Sequence, residues 1–211
     1  MEAKNIWVVK LGGSLVSSHC LTLWLETLSK TNAVIVPGGG MFADAVRQAQ
    51  AHWHFNDVTA HQMAILAMRQ YGLMLVGLCP KLIAATALED FAEFQGQTAV
   101  WLPNPDTLDE ARIPASWEIT SDSLAAWLAD QLGVENLLLV KSMAELDNPV
   151  GKAHEVTGTL AADAGWVDPA FDYYAKNRPF KSWLCGPEGY AKLPQGFIEP
   201  THAFTLLRPS L

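Results

Sequence analysis

The chain reads as an α/β fold built on a parallel sheet, and three observations predict it. Short, uninterrupted apolar runs occur at Asn5–Lys10, Ala33–Pro37 and Leu137–Val140, as in strands covered on both faces. The first two pass into segments whose apolar residues fall at helical spacing. Both of these junctions are glycine-rich, Gly12-Gly13 and Gly38-Gly39-Gly40. Strand, helix, strand, helix is the order a parallel sheet demands.

Each element follows in turn. After the first strand, Leu21, Trp24, Leu25 and Leu28 predict a helix over about His19–Ser29. Ala33–Pro37 is the second strand, and Phe42–Ala51 resumes a helical pattern. Asp57–Tyr71 predicts a long helix with Met63, Leu66, Ala67 and Gln70 along one face and Ala60, Ala64 and Met68 beside it. Its small residues suit close packing on another helix, in this subunit or in a second one. Leu78–Gln97 gives no clear element; Pro80 limits the incoming helix and Gly96 marks a turn. Ala99–Leu102 is a strand ended by Pro103. Thr120 or Ser121 caps a helix carrying Leu124, Ala125, Leu128, Ala129 and Leu132, which Gly133 closes. Leu137–Val140 runs into Lys141-Ser142, and Ser182–Cys185 is a late strand. Ala144–Asp163 is polar and irregular, either a loop over a ligand or a surface insertion. With no repeat or linker, a single domain over residues 1–211 is expected.

Composition narrows the function. Half of the residues are apolar and 17% are charged, enough for a sizeable core. A net charge of −8 argues against a nucleic-acid surface but leaves room for a local cationic pocket. Cys20, Cys79 and Cys185 form no CxxC pair and read as buried thiols of a reducing compartment. No secretory leader and no membrane-length apolar stretch is read, so a cytoplasmic protein is expected, with no membrane partner.

The chemistry gathers at the strand ends. Glycines there let backbone N–H groups approach an anion, and a helix starting just beyond adds its positive end. Neither loop matches GxxxxGKS or GxGxxG, which disfavours the usual nucleotide folds. Lys10 ends a buried strand, where ligands bind in open α/β sheets, and phosphoryl transfer needs a cation on the transferring group. Lys141 ends another strand. Asp122 is a helix cap if it acts alone, or the group that holds Lys10 and Lys141 if all three converge. Asp57 and His61, four apart, share a helix face and are candidates for substrate contact; no complete metal-ligand set is visible.

Taken in order, Val9-Lys10-Leu11-Gly12-Gly13-Ser14, Val36-Pro37-Gly38-Gly39-Gly40, Thr120-Ser121-Asp122-Ser123-Leu124-Ala125 and Leu137-Leu138-Leu139-Val140-Lys141-Ser142 resemble the amino acid kinase superfamily. The resemblance implies a three-layer αβα sandwich around a mainly parallel sheet, ATP as donor, Mg²⁺, a small-molecule substrate and a homo-oligomer. It implies that Lys10 contacts the transferred phosphoryl group, with Gly12, Gly13, Ser14, Lys141 and Ser142 on the nucleotide side. Gly38, Gly39 and Gly40 would bind the acceptor and Asp122 would orient the lysines. The segment Asn56–Gly72 looks like that of the small kinases of methanofuran biosynthesis, which phosphorylate [5-(aminomethyl)furan-3-yl]methyl phosphate. UMP, isopentenyl phosphate, glutamate or aspartate are alternative acceptors, and a non-catalytic nucleotide- or oxoanion-binding protein is the alternative class. The chain departs from many relatives at Met143-Ala144-Glu145-Leu146 and at Gly165–Phe171, which lacks a lysine in register. The second phosphate cation is then Lys141, Lys176 or Lys181.

Overall fold

Trp7–Leu11 (β1) and Ala33–Pro37 (β2) are buried at every position, as strands covered on both faces must be. The computed structural model describes residues 6–93, 96–147 and 155–210. After β1 come a 3₁₀ turn at Gly13–Ser17, α1 (Cys20–Leu28), β2, α2 (Gly40–Trp53), α3 (Asp57–Leu78), β3 (Ile83–Ala85) and α4 (Asp90–Glu93). Next are β4 (Ala99–Trp101), α5 (Pro105–Glu110), α6 (Ser121–Gln131), β5 (Asn136–Val140) and a 3₁₀ turn at Ala144–Leu146. The chain continues through β6 (Glu155–Thr157), α7 (Gly158–Asp163), α8 (Phe171–Ala175) and β7 (Lys181–Cys185). A 3₁₀ turn at Gly189–Lys192, α9 (Leu193–Gly196), α10 (Pro200–Ala203) and β8 (Thr205–Arg208) follow.

The eight strands form one sheet in the order β3-β4-β2-β1-β5-β7-β8-β6. Every pairing is parallel except β7 with β8. Two cores lie on its two faces. Trp7, Val9 and Leu11 of β1 pack with Leu21, Trp24, Leu25 and Leu28 of α1. Val8 packs on the opposite face with Leu124, Ala125 and Leu128 of α6. Helices on both faces make this the three-layer αβα sandwich.

Strand alternation also aims two lysines. Side chains along a strand change face at each step, so Lys10 shares the α6 face with Val8. Leu137 and Leu139 of β5 also face α6, and two residues further on the same face comes Lys141. β1 pairs with β2 on one side and β5 on the other, so the chain reverses direction across the sheet at β1. In open α/β sheets such a reversal opens a crevice at the carboxyl ends of the strands.

Several elements differ from the sequence reading. α3 runs on from Tyr71 to Leu78 because Gly72 is a packing residue there, pressed against Leu102 and Pro37, and not a stop. Its buried residues are Ala60, His61, Ile65, Ala67, Met68, Tyr71, Gly72 and Leu75, so Ala60, Ala67 and Met68 are buried as expected whereas Leu66 is exposed. The small residues Ala60 and Ala67 pack against Ala43 and Val46 of α2, within the same chain. β3, too short for a visible pattern, lies in the stretch that gave no element. Of the irregular segment Ala144–Asp163, residues 148–154 lie outside the described residues, and its end forms β6 and α7. Cys20 and Cys185 are buried as expected, and Cys79 is half-buried.

Candidate active site

Two loops meet at the carboxyl ends of β1 and β2. The Gly38 amide donates to the Leu11 carbonyl at 2.9 Å, and the backbones of Gly13, Gly38 and Gly40 are in direct contact. A β-carbon on Gly13 would collide with the Gly40 backbone, and one on Gly38 with the Gly13 amide. The glycines expected to admit a ligand thus serve first to let the loops touch each other. Gly40 opens α2 at a φ of 51°, a conformation that glycine adopts without strain. The first amides of α2 have no partner within the helix, so its positive end faces the crevice.

Beneath the first loop lies a buried charge cluster. Asp122, 4% exposed, sits in the first turn of α6. Lys141 Nζ donates to its Oδ2 at 2.7 Å, and Lys10 Nζ pairs with Oδ1 at 3.0 Å. Each carboxylate oxygen of Asp122 thus faces one ammonium group. A β-carbon on Gly12 would stand 3.4 Å from Lys10 Nζ, which places the ammonium directly under the glycine turn. Burial by itself would raise the Asp122 carboxyl; the Lys10 and Lys141 charges outweigh it and hold the group at about 2. Burial pulls Lys141 down to about 8, Asp122 opposes that shift, and Lys10 adds to it. Asp122 is therefore a bridge between two cations and not a helix cap.

The cap of α6 comes from elsewhere. Thr120 occupies the cap position, but its hydroxyl donates to Asp168 Oδ2 at 2.8 Å and caps nothing. In the sequence Asp168 is only one residue of the lysine-free segment Gly165–Phe171. No local pattern announces it, because its partners lie 45 to 48 positions earlier in the chain.

A cavity of about 430 Å³ opens against Gly13, Ser14, Gly39 and Gly40. Ile65, Met68, Ile119 and Leu124 give it apolar walls. Arg47, lying 4.3 Å over the Trp117 ring, and Asp44 line another part of it. The Arg47–Trp117 pair spans distant sequence and was invisible there. His61 lines the cavity at 7% exposure, its ring held neutral chiefly by burial against the opposing pull of Asp109 and the Ser116 backbone.

Residues 5–149 match the model of the amino acid kinase family. The chain belongs to that family. It is 28% identical over 169 residues to the [5-(aminomethyl)furan-3-yl]methyl phosphate kinase of Methanocaldococcus jannaschii, covering 74% of this chain and 78% of that one. The fold matches uridylate kinase from Archaeoglobus fulgidus with a TM-score of 0.71 at 15% identity, over 95% of this chain and 99% of that one. It also matches isopentenyl phosphate kinase from T. acidophilum with a TM-score of 0.63 at 13% identity, over 96% and 100% of the two chains. The protein is a phosphotransferase of this family.

Of the residues singled out in this kinase's sequence, Lys10, Gly12, Gly13, Ser14, Gly38, Gly39, Gly40, His61, Asp122 and Lys141 gather at the crevice. Asp57 does not: it is exposed at the start of α3 and accepts from Gln50 at 2.9 Å. Asp57 and His61 do share a helix face, but the first turn of α3, Asp57 to Thr59, is exposed on every side, and burial begins only at Ala60 and His61. Ser142 is exposed next to Lys141; like Lys10, Asp122 and Lys141 it lies beside the cavity and not in its lining. Lys176 is exposed, and Lys181 lies opposite Asn136 at the amino end of β5, the far edge of the sheet. Of these three lysines, Lys141 is the one that shares the Asp122 carboxylate with Lys10. Among the described residues no three His, Cys, Asp or Glu side chains form a metal-holding group, and Asp122 and Asp168 are already engaged. A Mg²⁺ here would be held chiefly by the phosphates of ATP, which need no such protein cluster.

No helix among the described residues is long and apolar enough to cross a membrane.

Proposed function

We propose that this kinase transfers the γ-phosphoryl group of ATP to a small phosphorylated acceptor of the furan-methyl phosphate class, forming a diphosphate. The observation that carries this reading is the pair of ammonium groups on one buried carboxylate, at the carboxyl ends of β1 and β5, beside a cavity bounded by the triple-glycine loop.

Charge builds on the equatorial oxygens of the transferring group, and the gain comes from fixed positive groups that need no reorganisation. Lys10 and Lys141 supply two such charges. Asp122 keeps them apart and aimed while the crevice is empty. The α2 amides at Gly39 and Gly40 suit the acceptor phosphate. A phosphate acceptor is already ionised, so attack needs no general base. The apolar walls of Ile65, Met68 and Leu124 suit a ring or short hydrocarbon, and the cavity has the size of a small-molecule site. The furan phosphate named for the Methanocaldococcus relative combines these features.

ADP release from ATP is to be measured with [5-(aminomethyl)furan-3-yl]methyl phosphate, UMP, isopentenyl phosphate and glutamate as separate acceptors. Turnover with the furan at the highest kcat/KM is expected. Preference for another acceptor overturns the substrate assignment, and ATP binding without transfer to any of them overturns the enzyme reading.

A further inference from the structure

Asp168 lies between α7 and α8 and is 7% exposed. Its Oδ2 accepts from the Thr120 amide at 2.8 Å, the Thr120 hydroxyl at 2.8 Å and the Ser123 amide at 3.0 Å. Its Oδ1 accepts from the Ser123 hydroxyl. Four donors from two residues are thus tied to one carboxylate. Asp122 stands between those two residues, so the rotation of the first turn of α6 is fixed on either side of it.

We propose that Asp168 is a positioning residue for phosphoryl transfer, which locks the first turn of α6 so that the Asp122 carboxylate stays between Lys10 and Lys141. This rests on the reading of those lysines as the phosphate-binding cations. A plain cap would not need this residue. Serine or asparagine satisfies a helix start without bringing a second carboxylate close to Asp122. Burial, and after it the Asp122 charge, push the Asp168 carboxyl up, so its choice carries a cost. What the charge returns is support for Lys141. The groups facing Lys141 are Asp122 from α6, Lys10 from β1 and Asp168 from the segment before α8, and both carboxylates favour its charged form. Asp168 therefore acts on the cluster twice, by fixing Asp122 and by its own field.

Asp168→Asn keeps an acceptor and the side-chain shape while removing the charge. Two measurements test it. The first follows the Lys141 side chain by NMR titration, assigned with Lys141→Arg; the midpoint is expected to fall in Asp168→Asn. The second is steady-state kinetics, with kcat expected to drop by about 10- to 100-fold and the acceptor KM within about twofold. A folded Asp168→Asn protein with unchanged kcat and an unmoved Lys141 midpoint overturns the proposal. Should Asp168→Asn fail to fold, Ser123→Ala removes one of the four bonds; a several-fold loss of kcat supports the proposal and unchanged kcat overturns it. Should the wild-type protein phosphorylate no acceptor, the functional reading fails separately, and the titration alone decides: a lowered midpoint supports positioning and an unmoved one overturns it.

Discussion

Gly13 and Gly40 are in backbone contact across the mouths of β1 and β2, with no room for a side chain on Gly13. The neighbouring atoms are backbone, which cannot swing aside. Gly13→Ala is expected to destabilise the protein by roughly 1–3 kcal/mol, as overpacking does, and to lower kcat by opening the loops. Urea unfolding and steady-state kinetics on the same preparation check it. A stable, fully active alanine variant shows that the loops need not touch.

Lys10→Met is expected to lower kcat by at least about 100-fold, the scale of losing one charge-stabilising donor. Folding should survive, since Asp122 keeps its hydrogen bond to Lys141 and a like charge is removed. The Lys141 titration should move up, because Lys10 now depresses it. Near-normal turnover moves the transfer site elsewhere.

Asp122→Asn leaves two buried ammonium groups without their counter-ion. Removing one partner of a buried ion pair costs roughly 3–5 kcal/mol, so a large fall in the urea midpoint is expected. Acid shows the same interaction in the native protein. The Asp122 carboxyl is held at about 2 when folded, below its ordinary 3.8. Its stabilisation is complete above about pH 4 and is lost as pH falls through 2. The acid limb of the stability curve should flatten over that window in Asp122→Asn.

Lys141, lowered to about 8 in the free protein, is expected to set an alkaline limit on ATP capture under the proposed function. The kcat/KM for ATP should fall above about pH 8, whereas kcat should hold to higher pH because bound phosphates favour the ammonium form. Lys141→Arg, which stays charged, should abolish that limb. Because the folded value is depressed, the unfolded chain binds the extra proton between 8 and 10.5, and this group adds stability as pH rises through that range.

Arg47→Ala removes the guanidinium stacked over Trp117 at the cavity. The acceptor KM is expected to rise about tenfold with the ATP KM unchanged. An effect on ATP alone places the acceptor elsewhere.

Short strands, glycine turns and strand-end lysines are local features, and the sequence displays them openly. From them came the parallel sheet, the two loops, Lys10 and Lys141. Thr120 shows the limit: its type and place announce a cap, yet its hydroxyl serves Asp168, a partner too remote for any local pattern to reveal. Asp57 shows the converse, a promising neighbour of His61 whose helical turn lies wholly exposed.

The order of residues alone determined that Lys10 and Lys141 each stand at the end of a short apolar strand, because strand pattern and side-chain alternation are local consequences of backbone geometry. Tertiary structure decided that β1 and β5 lie side by side, that α6 lays Asp122 between their lysines, and that Asp168 clamps that helix. Those pairings join segments far apart in the chain, and only the packing of both sheet faces at once selects them.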